Sequence, residues 1–221
     1  MAADSPNLIT VADPRSPVSE AYRQLRTNIQ FYGLDRSLQT ILVTSAGAQE
    51  GKSTTLANLA VTFAEAGRSV LMVDCDLRRP SLHKLFGVSN EPGLTTVIRD
   101  EKTLTDVVLP TAIPGLGLLP SGPLPPNPSE ILGSQRMDRL IETLRGFAEV
   151  VLFDAPPTIA VTDAMVLSAK MDGVLLVVSA GRTKRDHAVR AKRLLEKVNA
   201  KVLGVVLNNT KLDGNLYNYY G

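Results

Sequence analysis

Ala46-Gly47-Ala48-Gln49-Glu50-Gly51-Lys52-Ser53 follows the apolar run Thr40-Ile41-Leu42-Val43-Thr44 and leads into Thr54-Thr55-Leu56-Ala57-Asn58-Leu59. The order is strand, loop, helix. The spacing is that of a Walker A phosphate-binding loop, with Ala46 where the first glycine usually stands. Backbone N–H groups of such a loop converge on phosphate oxygens, and the positive end of the following helix adds to the field. Lys52 can reach terminal phosphates, and Ser53 can ligate Mg²⁺. A glycine-containing turn that binds nothing would not need a strand before it and a helix after it; this stretch has both.

Working outward, 221 residues make one large domain or two small ones, with 44% hydrophobic residues and enough chain for a substantial core. The formal net charge is +2, which implies no general polyanion-binding role and no nucleic-acid partner. Cys75 is the only cysteine, so no intramolecular disulfide forms and a reducing compartment is expected. Met1 to Asn7 is polar and lacks a signal-peptide core, and no stretch is long enough to span a bilayer. The expectation is a soluble protein unless a partner holds it at a membrane.

Residues 1–16 read as an extended N-terminal arm. Pro17 to Tyr32 reads as a helix capped by Ser16 or Ser19, with Val18, Tyr22, Leu25 and Ile29 forming one apolar stripe. Glu20, Arg23 and Arg26 fall on its other side and flank, a row that taken alone is a solvated face. The helix from Lys52 to Ala66 buries Leu56, Leu59, Ala60 and Phe63, and Gly67 ends it. Ser69 to Asp76 is an almost continuous apolar run, as expected of a strand covered on both faces. Ser81 to Asp106 holds short helical pieces, and Gly115 to Pro120 is a short strand. Asn127-Pro128-Ser129-Glu130 reads as a capping box opening a helix to about Leu144. Val150 to Asp154 and Gly173 to Val178 are buried strands, separated by a helix from Thr162 or Asp163 to about Met171. Thr183 to Asn199 is a helix with Ala191, Leu194, Leu195 and Val198 inward, and Val202 to Leu207 is the last core strand. Strands alternating with helices imply right-handed crossovers and a mostly parallel sheet flanked by helices.

Ligands of parallel sheets bind beyond the carboxyl ends of the strands. Three such ends carry what a Mg-nucleotide needs: the phosphate loop, the pair Asp74 and Asp76, and Asp154. One carboxylate can ligate the metal while another holds a water. Asp74 or Asp76 can accept a proton from a hydroxyl. Asn208 follows the last strand at the same end, where its amide either meets a nucleobase or makes a turn with Asn209. Three of the five tyrosines lie in the last five residues, in a polar tail expected to be mobile. Such tyrosines suit phosphorylation or stacking on a partner. Arg182, Lys184, Arg185, Arg190, Lys192 and Arg193 form a basic run whose default is a solvated face, with acidic lipid or a partner as the alternative. His83 and His187 are isolated, and no His/Cys metal cluster exists in the sequence.

On these motifs the chain resembles the bacterial tyrosine kinases, the BY-kinase family that regulates capsular and exopolysaccharide synthesis, over essentially its whole length. Ala46 to Thr54 matches the family's Walker A, Val70 to Arg78 its Walker A′, and Val150 to Pro157 its Walker B. Glu20-Ala21-Tyr22-Arg23-Gln24-Leu25-Arg26 matches the Glu-x-x-Arg-x-x-Arg motif of subunit contacts, which turns Glu20, Arg23 and Arg26 into an expected oligomer interface. The resemblance implies a P-loop fold of the MinD/ParA type over residues 17–210, followed by a tyrosine tail at 211–221. It implies ATP and Mg²⁺, with Gly47, Ala48, Gln49, Glu50, Gly51, Lys52, Ser53, Thr54 and Asn208 around the nucleotide. Ser53, Asp76 and Asp154 would serve the metal, Lys52 the transferred phosphate, and Asp74 the tyrosine proton. Tyr217, Tyr219 and Tyr220 would be the autophosphorylation sites, presented to a neighbouring subunit within a ring that tail phosphorylation dissociates.

The implied partners are a transmembrane activator, the polysaccharide co-polymerase, acting through its cytoplasmic tail, and a cognate phosphatase. The protein would then be cytoplasmic and peripheral at the inner face of the plasma membrane. The rival readings are a ParA/MinD-type nucleotide switch and a non-catalytic nucleotide-binding scaffold of an export complex. The switch proteins carry a second lysine early in the phosphate loop, where this chain has Gly47. Intact Lys52, Asp74, Asp76 and Asp154 argue against the scaffold.

Overall fold

Six apolar runs of the chain become adjacent parallel strands, and the helices between them cover both faces. The computed structural model describes residues 7–33 and 38–210. In chain order the elements are α1 (Ile9–Ala12), α2 (Pro17–Tyr32), β1 (Thr40–Ser45), α3 (Lys52–Glu65), β2 (Val70–Asp74), α4 (Leu82–Leu85), α5 (Leu94–Ile98) and α6 (Leu104–Val107). They continue with β3 (Leu109–Pro110), β4 (Leu116–Leu119), α7 (Pro128–Gly133), α8 (Gln135–Phe147), β5 (Val150–Asp154), α9 (Asp163–Ser168), β6 (Gly173–Ser179), α10 (Arg185–Lys197) and β7 (Val202–Asn208). The seven strands lie in the order β3-β4-β2-β5-β1-β6-β7, parallel except for the short β3.

Alternation along each strand divides the core. Ile41 and Val43 of β1 face α3 with Met72, Leu152 and Leu175, against Leu56, Leu59, Ala60 and Phe63. Leu42 faces the other way with Leu71, Val73, Val151 and Phe153, against Leu132, Met137, Ile141, Leu144 and Leu167 of α7, α8 and α9. β1, β2, β5 and β6 are buried throughout, which is why they read as unbroken apolar runs. At the far end of the sheet from the phosphate loop, Asp172 receives Arg145 at 2.8 and 2.9 Å and the Gln39 and Thr40 amides at 3.0 and 2.8 Å. Burial alone would raise the Asp172 carboxyl; these donors instead hold it at about 2.

Ser16 caps α2, accepting the Ser19 amide at 3.2 Å, with Pro17 at the first position. Four readings change. Residues 7–16 are not extended: α1 forms there, with Leu8 1% and Thr10 0% exposed, and Thr10 Oγ1 donates to Asn58 of α3 at 2.9 Å. An isolated four-residue turn has no periodicity to announce it. The helix expected from Asn127 to about Leu144 is two helices, because Ser134 is extended and caps α8, accepting the Met137 amide at 3.2 Å. Asn127 makes no side-chain cap; its amide donates to Glu130 at 3.1 Å. β3 was not foreseen, two residues being too short to show alternation. β7 is a sheet edge rather than a core strand, with Val205 54% and Leu207 57% exposed.

Candidate active site

The phosphate loop leaves β1 and turns into α3 through two left-handed residues, Gln49 (φ +58°) and Gly51 (φ +88°). Gly51 has no room for a side chain: a Cβ there would lie 2.0 Å from the Asn208 amide nitrogen. Strand pairing sets the rest. Val43 is opposite Asp154, and Asp74 is opposite Asp154 on the next strand, so both carboxylates end level with the loop.

Lys52 reaches back over this end of the sheet. Its ammonium lies 3.0 Å from Asp76 Oδ2 and 3.2 Å from Asp154 Oδ1, and donates to Ser53 Oγ at 3.1 Å. Ser53 Oγ donates to Asp154 Oδ2 at 2.5 Å and accepts from Ser81 Oγ at 2.8 Å. Burial works against the charge on Lys52, but Asp154, Asp76 and Asp74 outweigh it and hold its pKa above the ordinary lysine value. Asp154 is 0% exposed, and burial raises its pKa despite Lys52 and Ser53. Asp74 is raised to about 7 by burial and by the Asp154 charge, against the pull of the Leu82 amide, Lys52 and the Ser81 amide. Between these two strand ends Cys75 is fully buried, its thiol pushed well up by burial, so it is inert.

The three carboxylates therefore differ in task. Asp74 accepts the Ser81 and Leu82 amides at 3.0 Å each and the Asp76 amide at 3.2 Å, so it shapes the turn into α4. Asp154 lies behind Ser53. Asp76 lines a cavity of about 450 Å³ with Lys52, Ser53, Thr54, Arg79, Ser81, Lys84 and Pro157. That volume is in the usual range of ligand pockets. A larger open groove of about 840 Å³ between α5, α6 and α8, lined by Asp100, Arg136 and Arg139 among others, has no comparable convergence of groups.

The donor set fits a hard cation. Hydroxyl and carboxylate oxygens of Ser53, Asp76 and Asp154 surround one ammonium, so two carboxylates and a hydroxyl converge on a single positive charge. Among the described residues no three His, Cys, Asp or Glu side chains form an all-protein metal cage.

Residues from the sheet's other flank grip the loop. The Asn208 amide donates to the Glu50 carbonyl at 3.0 Å, so one of its N–H groups serves the loop. Arg182, exposed like the rest of the basic run, donates to Gln49 O at 3.2 Å and Gln49 Oε1 at 3.0 Å. Thr183 Oγ1 donates to Glu50 Oε1 at 2.5 Å. Neither Arg182 nor Thr183 was foreseen as a loop contact, although both follow β6 at the end of the sheet where ligands bind. The remainder of the basic run behaves as expected: Arg185, Arg190, Lys192 and Arg193 are exposed on α10.

Away from the cavity, Glu20 pairs with Arg23 at 3.2 Å on the open face of α2. Arg26 instead turns inward and donates to the Thr62 carbonyl of α3 at 2.8 Å. Tyr217, Tyr219 and Tyr220 lie outside the described residues.

Residues 37–215 match the family described as "ParA: NUBPL iron-transfer P-loop NTPase". The chain is 43% identical over 216 residues to the tyrosine-protein kinase YwqD of Bacillus subtilis (strain 168), covering 97% of this chain and 91% of the relative. Among solved structures, the chimerical protein CapA2B2 superposes with a TM-score of 0.89 at 40% identity, covering 93% of this chain and 90% of the other. The kinase domain of the Escherichia coli tyrosine kinase ETK superposes with a TM-score of 0.91 at 31% identity, covering 97% and 84%.

Proposed function

The chain belongs to the bacterial tyrosine-protein kinases, a branch of the ParA-like P-loop proteins, and on that premise we propose that it transfers phosphate from ATP to tyrosines of its own C-terminal tail, one subunit acting on the next. The observation that carries this reading is the placement of Lys52 between Asp76 and Asp154 at the wall of a nucleotide-sized cavity.

Phosphoryl transfer needs positioning and charge stabilisation more than covalent chemistry. The loop amides from Ala48 to Thr54 hold the phosphates, and the field of the α3 N-terminus adds to them. Lys52 exchanges its carboxylate partners for phosphate oxygens and stabilises the transferring group. Ser53 and Asp76 would hold Mg²⁺, with Asp154 aligning Ser53. The metal would neutralise charge on the phosphates. Asp74 is assigned the tyrosine proton: a pKa of about 7 suits a general base at neutral pH, and the Ser81 and Leu82 amides that now hold its carboxylate have to give way for a hydroxyl to reach it. Asn208 offers its carbonyl to the base.

Glu20 and Arg23 on the open face of α2 are proposed to contact the neighbouring subunit of a ring that tail phosphorylation loosens. The wider role is regulation of capsular or exopolysaccharide synthesis beside a membrane-protein activator and a phosphatase. No helix among the described residues is long and apolar enough to cross a membrane, which is compatible with recruitment by such a partner. Gly47 separates this chain from the two-lysine nucleotide switches.

The test is phosphosite mapping after incubation with Mg-ATP, with and without the activator's cytoplasmic tail, beside Lys52→Met. Phosphate on Tyr217, Tyr219 or Tyr220 that is lost in Lys52→Met supports autophosphorylation. ATP turnover without phosphotyrosine, activator included, establishes a switch ATPase instead.

A further inference from the structure

A carboxylate inside an anion-binding loop is electrostatically unfavourable unless it is turned to another task. Glu50 is such a residue, 5% exposed and within the phosphate loop itself. Neither oxygen faces the cavity's cations: no ion pair involving Glu50 forms among the described residues. Oε2 accepts the Gly47 amide at 2.9 Å, and Oε1 accepts the Thr183 hydroxyl at 2.5 Å. Thr183 Oγ1 in turn accepts the Ser179 amide at 2.8 Å, so its proton is directed at Glu50. The Glu50 carbonyl is held by Asn208 at 3.0 Å. The carboxylate also fills the space over Gly47, where a Cβ would come within 3.1 Å of Oε1.

We propose that Glu50 is a positioning residue whose carboxylate ties the Gly47 amide to Thr183, and so holds the phosphate loop open for a nucleoside di- or triphosphate before the ligand arrives. The first turn of the loop is thereby fastened to the end of β6, an element that supplies no phosphate ligand. The proposal rests on the nucleotide-binding reading above and adds to it a residue pair, Glu50 and Thr183, that acts through the loop rather than on the ligand.

Two accounts of Glu50 predict opposite signs. If its charge merely opposes the phosphates, removing it tightens nucleotide binding. If it organises the loop, removing it weakens binding. The full-length chain is titrated with Mg-ADP by calorimetry, and KM and kcat for ATP are taken from tail phosphorylation. The loss of two hydrogen bonds to a charged acceptor implies that Glu50→Ala raises Kd and KM about tenfold, with kcat within about twofold. Glu50→Gln, which can still accept from Gly47 and donate to Thr183, stays within about threefold of the parent. Thr183→Val weakens binding in the same direction, and Glu50→Ala/Thr183→Val together are no weaker than Glu50→Ala alone. Unchanged or tighter binding in Glu50→Ala, a Glu50→Gln defect equal to that of Glu50→Ala, or additive losses in the double variant would each overturn the proposal. Failure of the parent chain to bind Mg-ADP overturns the nucleotide reading itself.

Discussion

Lys52 Nζ and Asp154 Oδ1 lie 3.2 Å apart, joined across 102 residues of sequence from the start of a helix to the end of a strand. Lys52 is the one cation within ion-pair reach of Asp76 and Asp154 among the described residues, and it is itself 12% exposed. It neutralises carboxylates now and is placed to serve a phosphate later.

Lys52→Met should therefore have two effects. Phosphotransfer falls by roughly two to three orders of magnitude, the usual loss for one preorganised charge-stabilising donor. Stability falls as well, because buried carboxylates lose their countercharge, by ~3 kcal/mol when they are ionised. The loss should be larger at pH 8 than at pH 5, where Asp74, with its pKa of about 7, has taken up its proton. Thermal unfolding at the two pH values, without nucleotide, checks this.

Asp74 predicts a pH dependence in the parent chain. Its folded pKa of about 7 lies above the ordinary 3.8, so the folded state binds its proton more tightly than the unfolded state does. Stability from this group is present below about pH 4 and is lost as pH rises to about 7. Asp74→Asn should lower Tm overall, since its amide cannot accept all three backbone donors, yet it should flatten the slope between pH 4 and 7. The same variant should bind Mg-ADP and fail to phosphorylate tyrosine. An unchanged slope with full activity would refute both roles.

Glu20 and Arg26 separate assembly from folding. Glu20→Lys alters the exposed member of the pair and should reduce oligomer mass in light scattering with Tm within a few degrees, as surface pairs contribute at most about 1 kcal/mol. Arg23→Glu should reduce the mass too and lower Tm further, because Arg23 also donates to the Pro14 carbonyl at 2.7 Å. Arg26→Ala should also lower Tm, because its guanidinium holds the Thr62 carbonyl of α3.

Gly51→Ala should cost about 1–2 kcal/mol for the left-handed backbone alone. The collision with Asn208 adds to that. A loss of Mg-ADP affinity beyond tenfold is expected, restored only in part by Asn208→Ala, which relieves the contact and leaves the backbone strain.

Much of this was legible in the chain. Val70 to Asp74 and Val150 to Asp154 carry continuous apolar runs because both faces are covered, and each ends in the carboxylate that the site uses. The octapeptide from Ala46 to Ser53 names its own chemistry, since glycine and lysine at that spacing serve one backbone shape. Short elements were not legible: α1 and β3 are stabilised by what they pack on, not by local pattern. The break at Ser134 does carry a local signal, Gly133 followed by a capping serine, which the apolar periodicity running across it masks.

Local sequence determined which residues carry charge at strand ends and where the phosphate loop lies, because period and motif are properties of neighbours along the chain. Only the tertiary structure decided how the three carboxylates divide their work. Strand order places β2, β5 and β1 side by side, so Asp154 meets Ser53, Asp76 meets the cavity, and Asp74 is taken up by the amides of Ser81 and Leu82. It also decided that Thr183, Arg182 and Asn208 hold the loop, and that Arg26 packs inward while Glu20 and Arg23 stay on the open face. Those partners are brought together by crossover connections and side-chain reach, neither of which is written in the spacing of residues along one element.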